Sequence, residues 1–237
     1  MKIYLLIGIV GVMAPHAAAG AEPRIGLQAG FLGWGSGEAT LETQCEGDAV
    51  SGCADDDDYD ITDESGPALL VSVLFGERTK LGFDATLTVG GSLEDEDGDD
   101  LDYGTDLQIR GVIERGLASA PAAVEPFVGA AAGGLLLFPD KDLEDVVDSL
   151  KAKCSTVRDN GGSCSVSEGP MFGFTAGAYA GVDIELAPGA DLRLSLDVRY
   201  LWVRLLDFDA QVAGVGSEES QVTYTGSRAW LLAGVIF

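Results

Sequence analysis

Apolar and polar residues alternate with a period of two in eight segments of the chain. This alternation predicts β-strands, because successive side chains of a strand point to opposite faces. We expect segments of about ten residues, the length that a tilted strand needs to cross a bilayer. The fifth segment is apolar on both faces, so its facing stays open. The segments cover residues 25–31, 68–75, 81–89, 102–110, 127–138, 172–181, 192–202 and 227–237.

The connections between these segments are alternately long and short. Short turns at one end and long loops at the other are typical of outer-membrane barrels. The four long connections hold 28 of the 39 acidic residues and only four bases. The fold predicted is all-β: an eight-stranded, antiparallel, up-and-down transmembrane β-barrel with four long, acidic extracellular loops. The short links lie near 76–80, 114–125 and 185–191, and the long ones near 35–66, 91–100, 139–170 and 205–220.

The polar face of the segments favours a barrel in lipid over a soluble one. A soluble barrel turns its apolar face inward, whereas a membrane barrel turns that face to lipid and keeps a polar lumen. Here the polar positions are small or carry charges of both signs, and aromatic residues, Phe127 and Tyr224 among them, gather near strand ends as in interfacial girdles. We therefore predict a lumen plugged by a charge network. Its predicted members are Asp102, Asp106, Arg110, Arg193, Asp197, Arg199 and Arg228.

The first 21 residues have the pattern of a secretory signal peptide. Lys2 precedes an apolar core, Ile3 to Met13, which is shorter than the roughly 20 residues that a membrane-spanning helix needs. Ala19-Gly20-Ala21 fits a cleavage site before Glu22. We expect residues 1–21 to be removed and residues 22–237 to form one barrel domain.

The four cysteines form two close pairs, Cys45 with Cys53 and Cys154 with Cys164. An exported chain enters an oxidising compartment, so the cysteines are expected to form disulfides. Four cysteines allow three connectivities, and pairing of near neighbours is the preferred hypothesis.

Charge and histidine content disfavour two classes of function. The formal net charge is −25, which argues against nucleic acid as a partner, because phosphate contacts require Lys and Arg. The single histidine, His16, lies in the predicted signal peptide, so a Ser or Asp nucleophile in the remaining chain would lack its usual base. We therefore expect a protein that is not an enzyme.

Two acidic runs in the long loops supply the oxygen ligands that Ca²⁺ prefers. Solvated, self-repelling loops are the alternative interpretation, and loose divalent binding that bridges to surface polysaccharide lies between the two. We expect no cofactor beyond such loosely bound Ca²⁺. The possible weak ligands are Asp55, Asp56, Asp57, Asp58, Asp60, Asp95, Asp97 and Asp99.

The third long loop has helical apolar spacing from Asp140 to Lys153, with acids early and bases late. That order matches the helix dipole, so the sequence predicts a short helix that leads into Cys154.

Three stretches resemble a known family. The chain ends in an alternating strand, Arg228 to Phe237, closed by a terminal Phe, and residues Glu125 to Gly133 and Leu194 to Tyr200 are similar to the fifth and seventh strands of small OmpA-like, porin-family barrels. This resemblance implies the outer membrane of a Gram-negative bacterium, contact with its lipid, and recognition of Phe237 by the barrel-assembly machinery.

The resemblance implies a non-enzymatic outer-membrane protein, which supports the envelope or binds a surface polysaccharide, a host ligand or a neighbouring cell through acidic, disulfide-pinned loops. A narrow pore for small solutes and a soluble, lipocalin-like periplasmic binder remain the alternatives.

Overall fold

The structure is a computed structural model that describes residues 23–46, 57–94, 100–102, 104–118, 123–167, 170–213 and 216–237. Within these ranges, the backbone alone is described at residues 31–34, 46, 57–65, 91–94, 100–102 and 142. The predicted signal peptide and Cys53 lie outside the described residues.

The described chain forms twelve strands and one helix. The strands are β1 (Arg24–Glu46), β2 (Asp57–Ser65), β3 (Ala68–Phe75), β4 (Thr79–Val89), β5 (Gly91–Glu94), β6 (Asp100–Asp102), β7 (Thr105–Gly116), β8 (Val124–Phe138), β9 (Ser163–Val166), β10 (Met171–Ala187), β11 (Ala190–Val212) and β12 (Gly216–Ile236). The helix α1 spans Lys141–Asp159.

Eight of these strands close into a ring. The order is β1, β3, β4, β7, β8, β10, β11 and β12, each antiparallel to its neighbours, and β12 pairs with β1 to complete the barrel. At the seam the amide of Ile25 donates to the carbonyl of Phe237 at 2.9 Å, and the amide of Phe237 donates to that of Ile25 at 2.8 Å. The predicted fold class is therefore confirmed.

One end of the barrel carries the start of β1, the C-terminal residue Phe237 and the short turns. Two of these turns need backbone conformations that favour glycine, with φ of 114° at Gly76 and 82° at Gly189. We call this the turn end, and the opposite end, which carries α1, the cap end.

Burial shows which face of the alternating segments meets lipid. Phe172 and Leu231 are 70% and 68% exposed on the outside, whereas Arg110 is 1% exposed in the lumen. A closed barrel with an apolar exterior and a charged interior is the arrangement of a transmembrane barrel. The girdle prediction is wrong for Phe127 and Tyr224, because both side chains are buried in the interior.

The long loops predicted at the cap end are in part continuous strands. β1 and β11 each have 23 residues and β12 has 21, about twice the predicted length. The fourth long loop is a hairpin, since β11 runs to Val212 and β12 starts at Gly216. Backbone pairing between extended neighbours explains this difference, because it satisfies amides that a loop would leave to water.

The remaining strands widen this extension into a wall above the barrel. β2 pairs with the upper part of β1, β5 with β2, β6 with β5, and β9 with β11. Asp102 therefore lies in the β5–β6 hairpin rather than in a barrel strand. The prediction that it belongs to the charge network of the lumen is wrong for this reason.

The helix predicted in the third loop is present and six residues longer than expected at its C-terminal end. Asp140 caps its N-terminus, where Oδ1 accepts from the amide of Lys141 at 2.7 Å. Cys154 lies inside the helix and forms the predicted disulfide with Cys164 of β9. Cys45 is also disulfide-bonded. Within the described parts of the chain, no helix has the length and apolarity that crossing a bilayer requires.

Candidate functional site

The middle of the lumen is organised around Arg110 of β7. Its Nε and Nη2 donate to the two carboxylate oxygens of Asp84 on β4, at 2.8 and 2.6 Å. Nη2 also donates to Oδ2 of Asp197 on β11, at 2.9 Å. One guanidinium thus joins carboxylates from strands on different sides of the barrel, a bidentate geometry that suits Arg better than Lys.

Arg199 extends this network toward the cap end. Its Nη2 donates to Oδ2 of Asp197 at 2.8 Å and its Nη1 to Oε1 of Gln108 at 2.8 Å. Gln108 in turn donates to Asp106 at 2.9 Å, and Asp106 accepts from Nη1 of Arg228 at 2.8 Å. The Arg199 guanidinium also lies 4.5 Å from the ring centre of Trp230, within the range of a cation–π contact.

A second network lies nearer the turn end and is centred on Glu114. Its carboxylate accepts from Arg193 Nη1 at 2.7 Å and from Lys80 Nζ at 2.9 Å. Arg193 also donates through Nε and Nη2 to the carboxylate of Asp183, both at 2.8 Å. The Arg193 guanidinium stacks 4.1 Å from the ring centre of Phe127, which explains why this aromatic residue points inward.

The two networks balance their charges. Among the described residues, the buried charged side chains are five cations and five anions, and each one has a partner of opposite sign within 4.0 Å. Removing one partner of a buried pair leaves an uncompensated charge and costs about 3–5 kcal/mol. The cations are Lys80, Arg110, Arg193, Arg199 and Arg228, and the anions are Asp84, Asp106, Glu114, Asp183 and Asp197.

The sequence-based network was therefore incomplete. The structure brings together six of the seven predicted residues, all except Asp102, and adds Lys80, Asp84, Glu114 and Asp183. A positional signal was available for all four. Asp84 and Asp183 lie on the polar side of the alternation, Lys80 lies four residues before Asp84, and Glu114 lies four residues after Arg110. Lys80 and Glu114 therefore each face the lumen with that neighbour on the same strand.

The described interior has a small cavity between the charged groups. A cavity of about 20 Å³ lies where the two networks meet, lined in part by Ser72, Asp84, Arg193 and Asp197. That volume is about the size needed for one water molecule. At the turn end, Leu74, Val112, Ala131 and Ile236 form an apolar cluster that fills the interior further.

Above the charged zone the interior becomes apolar. The packing residues come from four barrel strands and from α1, which contributes Leu143. This cluster, which we call the mouth cluster, closes the barrel just below the helix. It consists of Leu135, Leu137, Leu143, Met171, Leu201, Val203, Leu205 and Tyr224.

The wall above the mouth cluster has its own core. A register shift between Arg204 and Leu206 places Leu206, Phe208 and Ala210 on the inner face of β11. They pack against Val147 of α1 and against the disulfide between Cys154 and Cys164. Because α1 also contacts β6 at the opposite end of the wall, the helix bridges the two edges of the extended sheet.

The outer surface of this wall carries exposed acids, among them Asp209 and its register partner Glu219. Over the described residues, no group of three His, Cys, Asp or Glu side chains is placed to hold a metal ion. Asp55, Asp56, Asp95, Asp97 and Asp99 lie outside the described residues. The other predicted cation ligands, Asp57, Asp58 and Asp60, lie in β2, where the backbone alone is described.

The chain resembles known proteins in fold and not in sequence. No family model matches it, and no curated protein matches it in sequence. Among solved structures it is similar to Neisserial surface protein A (NspA), at 14% identity and a TM-score of 0.41, over 89% of this chain and 98% of that one.

Two further solved structures are similar. They are the outer membrane protein OprG from Pseudomonas aeruginosa (14% identity, TM-score 0.40, 90% and 93% coverage) and the outer membrane protein AlkL (14% identity, TM-score 0.41, 93% and 94% coverage). The assignment as a transmembrane barrel depends on the geometry described above.

Proposed function

We propose that the protein is a non-enzymatic outer-membrane barrel that anchors a folded, acidic cap at the bacterial surface and does not conduct solutes. The observation that carries this proposal is the closure of the lumen by ten buried ionic groups that pair with one another. Eight strands leave an interior just wide enough for side chains, and here the side chains fill it.

The cap is the structure above the mouth cluster, formed by α1, β2, β5, β6, β9 and the upper ends of β1, β11 and β12. It supports a role in binding a partner rather than in transport. The mouth cluster lies between the charged lumen and α1, so any axial path would have to displace both. β1, β11 and β12 continue beyond the bulge at Leu205 into a structure above the membrane, which a simple anchor or pore does not need. An exposed acidic outer face favours basic partners, or anionic surface polysaccharide bridged by loosely bound divalent cations.

Two other features of the proposal come from the sequence. The absence of histidine after residue 16 supports a non-enzymatic role, because the usual base of a hydrolase is missing. Phe237 directly follows the seam strand β12, and its side chain is exposed at the turn end, which supports recognition by the assembly machinery. A lipocalin-like binder receives no support, since the apolar residues that would line its cavity face outward.

Planar-bilayer recording separates this proposal from the narrow pore. The refolded wild-type protein is expected to give no reproducible unitary current steps, with a wide-bore porin in the same membranes as the positive control. Reproducible steps of one size from the wild-type barrel would overturn the closed-lumen proposal and favour the pore.

A further inference from the structure

A groove of about 620 Å³ crosses the outer surface of the barrel near its cap end. Its floor includes Gly134 of β8, which is flanked in register by Ile109 of β7 and Phe174 of β10. The missing side chain between these two large ones makes a furrow. Because this surface belongs to the lipid-facing belt, the natural occupant of an apolar furrow here is an acyl chain.

The upper edge of the groove is polar. Arg204 and Asp207 of β11 line it, with Arg204 Nη1 3.4 Å from Asp207 Oδ2, and their side chains are 47% and 41% exposed. Arg204 follows Trp202, which stacks on Phe174 with ring centres 5.9 Å apart. Tryptophan marks the level of lipid headgroups, so the Arg204–Asp207 pair lies at or just above that level.

Hydrogen bonds from neighbouring residues hold both charged groups in place. With its amide oriented to accept, Gln221 Oε1 lies 2.8 Å from Arg204 Nε. The amide of Asp207 donates to Ser167 Oγ at 3.1 Å, which fixes the backbone at the groove edge. The rim therefore presents one cation and one anion side by side, with no net charge.

We propose that this groove binds one lipid with a phosphoethanolamine headgroup. The acyl chain lies over Gly134, the phosphate accepts from Arg204, and the ammonium donates to Asp207. A headgroup with both charges matches the rim, whereas a purely anionic one would meet Asp207 without a compensating cation. A choline headgroup has no N–H to donate.

The test uses the full barrel in nanodiscs that contain equal amounts of phosphatidylethanolamine, phosphatidylglycerol and phosphatidylcholine with the same acyl chains. Native mass spectrometry then identifies the lipids that stay bound after the barrel is released from the nanodisc. We expect one retained lipid per barrel, with ethanolamine favoured about tenfold over either competitor, the factor expected for one charge-assisted hydrogen bond.

Gly134→Leu fills the furrow and should abolish retention. No atom lies within 4 Å of the added Cβ, so the strand accepts the change. Ala233→Leu is the matched control, because it adds the same side chain to the outer face on β12, opposite Ala29 and Leu194 and away from the groove. Asp207→Asn keeps the furrow but removes the ammonium partner, so the ethanolamine-to-glycerol ratio should fall to about one.

Equal retention of the three lipids, or retention that survives Gly134→Leu, would overturn the assignment. A dimer that disappears with Gly134→Leu would do the same, since the groove would then hold a second copy of the chain. The inference rests on the proposed membrane location: a barrel that fails to insert overturns both, whereas an inserted barrel without lipid preference overturns this inference alone.

Discussion

The lower and upper halves of β11 follow opposite rules of burial. Between Arg193 and Arg199, the charged residues are buried and apolar residues such as Val198 are exposed. Between Leu206 and Gln211, Phe208 is buried and the acid beside it, Asp209, is exposed. The same strand thus has an inverted membrane-protein pattern at one end and the pattern of a water-soluble sheet at the other.

The surroundings account for this difference. Lipid solvates apolar side chains, so the apolar residues of the lower half can face outward and its polar residues can form a network in the lumen. Water drives apolar side chains inward, so the upper half builds a small core against α1. The bulge at Leu205 marks the boundary between the lipid-facing and the water-facing half of β11. Leu205 and Leu206 are both buried there.

The largest expected effect comes from removing a buried charge in the lower half. Arg110→Met leaves Asp84 and Asp197 without this cation in the lumen, and should lower the free energy of unfolding by about 3–5 kcal/mol in urea titration of the refolded barrel. Arg204→Met, which breaks the exposed pair with Asp207, is the matched control and should cost less than about 1 kcal/mol. Equal losses would mean that the lumen is not a desolvated interior.

A second test places one charge on the outer face of each half. Val198→Lys puts an ammonium into lipid and should destabilise the inserted barrel by about 2–4 kcal/mol, read from folding yield and urea midpoint in bilayers. Gln211→Lys, on the exposed face of the upper half, should leave both unchanged. If Gln211→Lys proved as costly, the membrane boundary would have to lie above the bulge.

The smallest effect should be confined to the upper half. Replacing Cys154 and Cys164 together by Ser removes the link between α1 and β9, worth roughly 2–3 kcal/mol of local stability. Amide exchange across α1 should accelerate, while the urea midpoint of the barrel strands stays at the wild-type value. A shift of that midpoint would show that cap and barrel unfold as one unit.

The lower half was readable from the sequence because its pattern is local. The alternation of apolar and polar residues identified the strands. Arg110 and Asp197 lie on the polar side of that alternation, which placed them in the lumen. Lys80 and Glu114 lie on the same polar side of the alternation but fall in the predicted short links. Their pairing partners come from other strands and cannot be read from spacing alone. The network geometry depends on barrel register, which no single segment encodes.

The upper half was predicted less well because pairing overrides propensity there. The acidic stretch Asp57–Ser65 has little strand character, yet it pairs with β1 and β5 and extends the sheet. Nothing in the sequence around Leu205 marks a bulge. The sequence therefore did not predict that the inward-facing positions of β11 shift by one residue there. Helix α1 was predicted because its apolar spacing, like the strand alternation, is a local signal.

The seam between β1 and β12 has a consequence for biogenesis. The first barrel strand, β1, finds one of its partners only in the eighth, β12, so the barrel cannot close before β12 has been translated and exported. Until then the chain would present two open sheet edges, which are prone to aggregation and which a bilayer does not tolerate. All eight barrel strands must therefore be present before the barrel closes, and we expect a product truncated before β12 to be degraded rather than inserted.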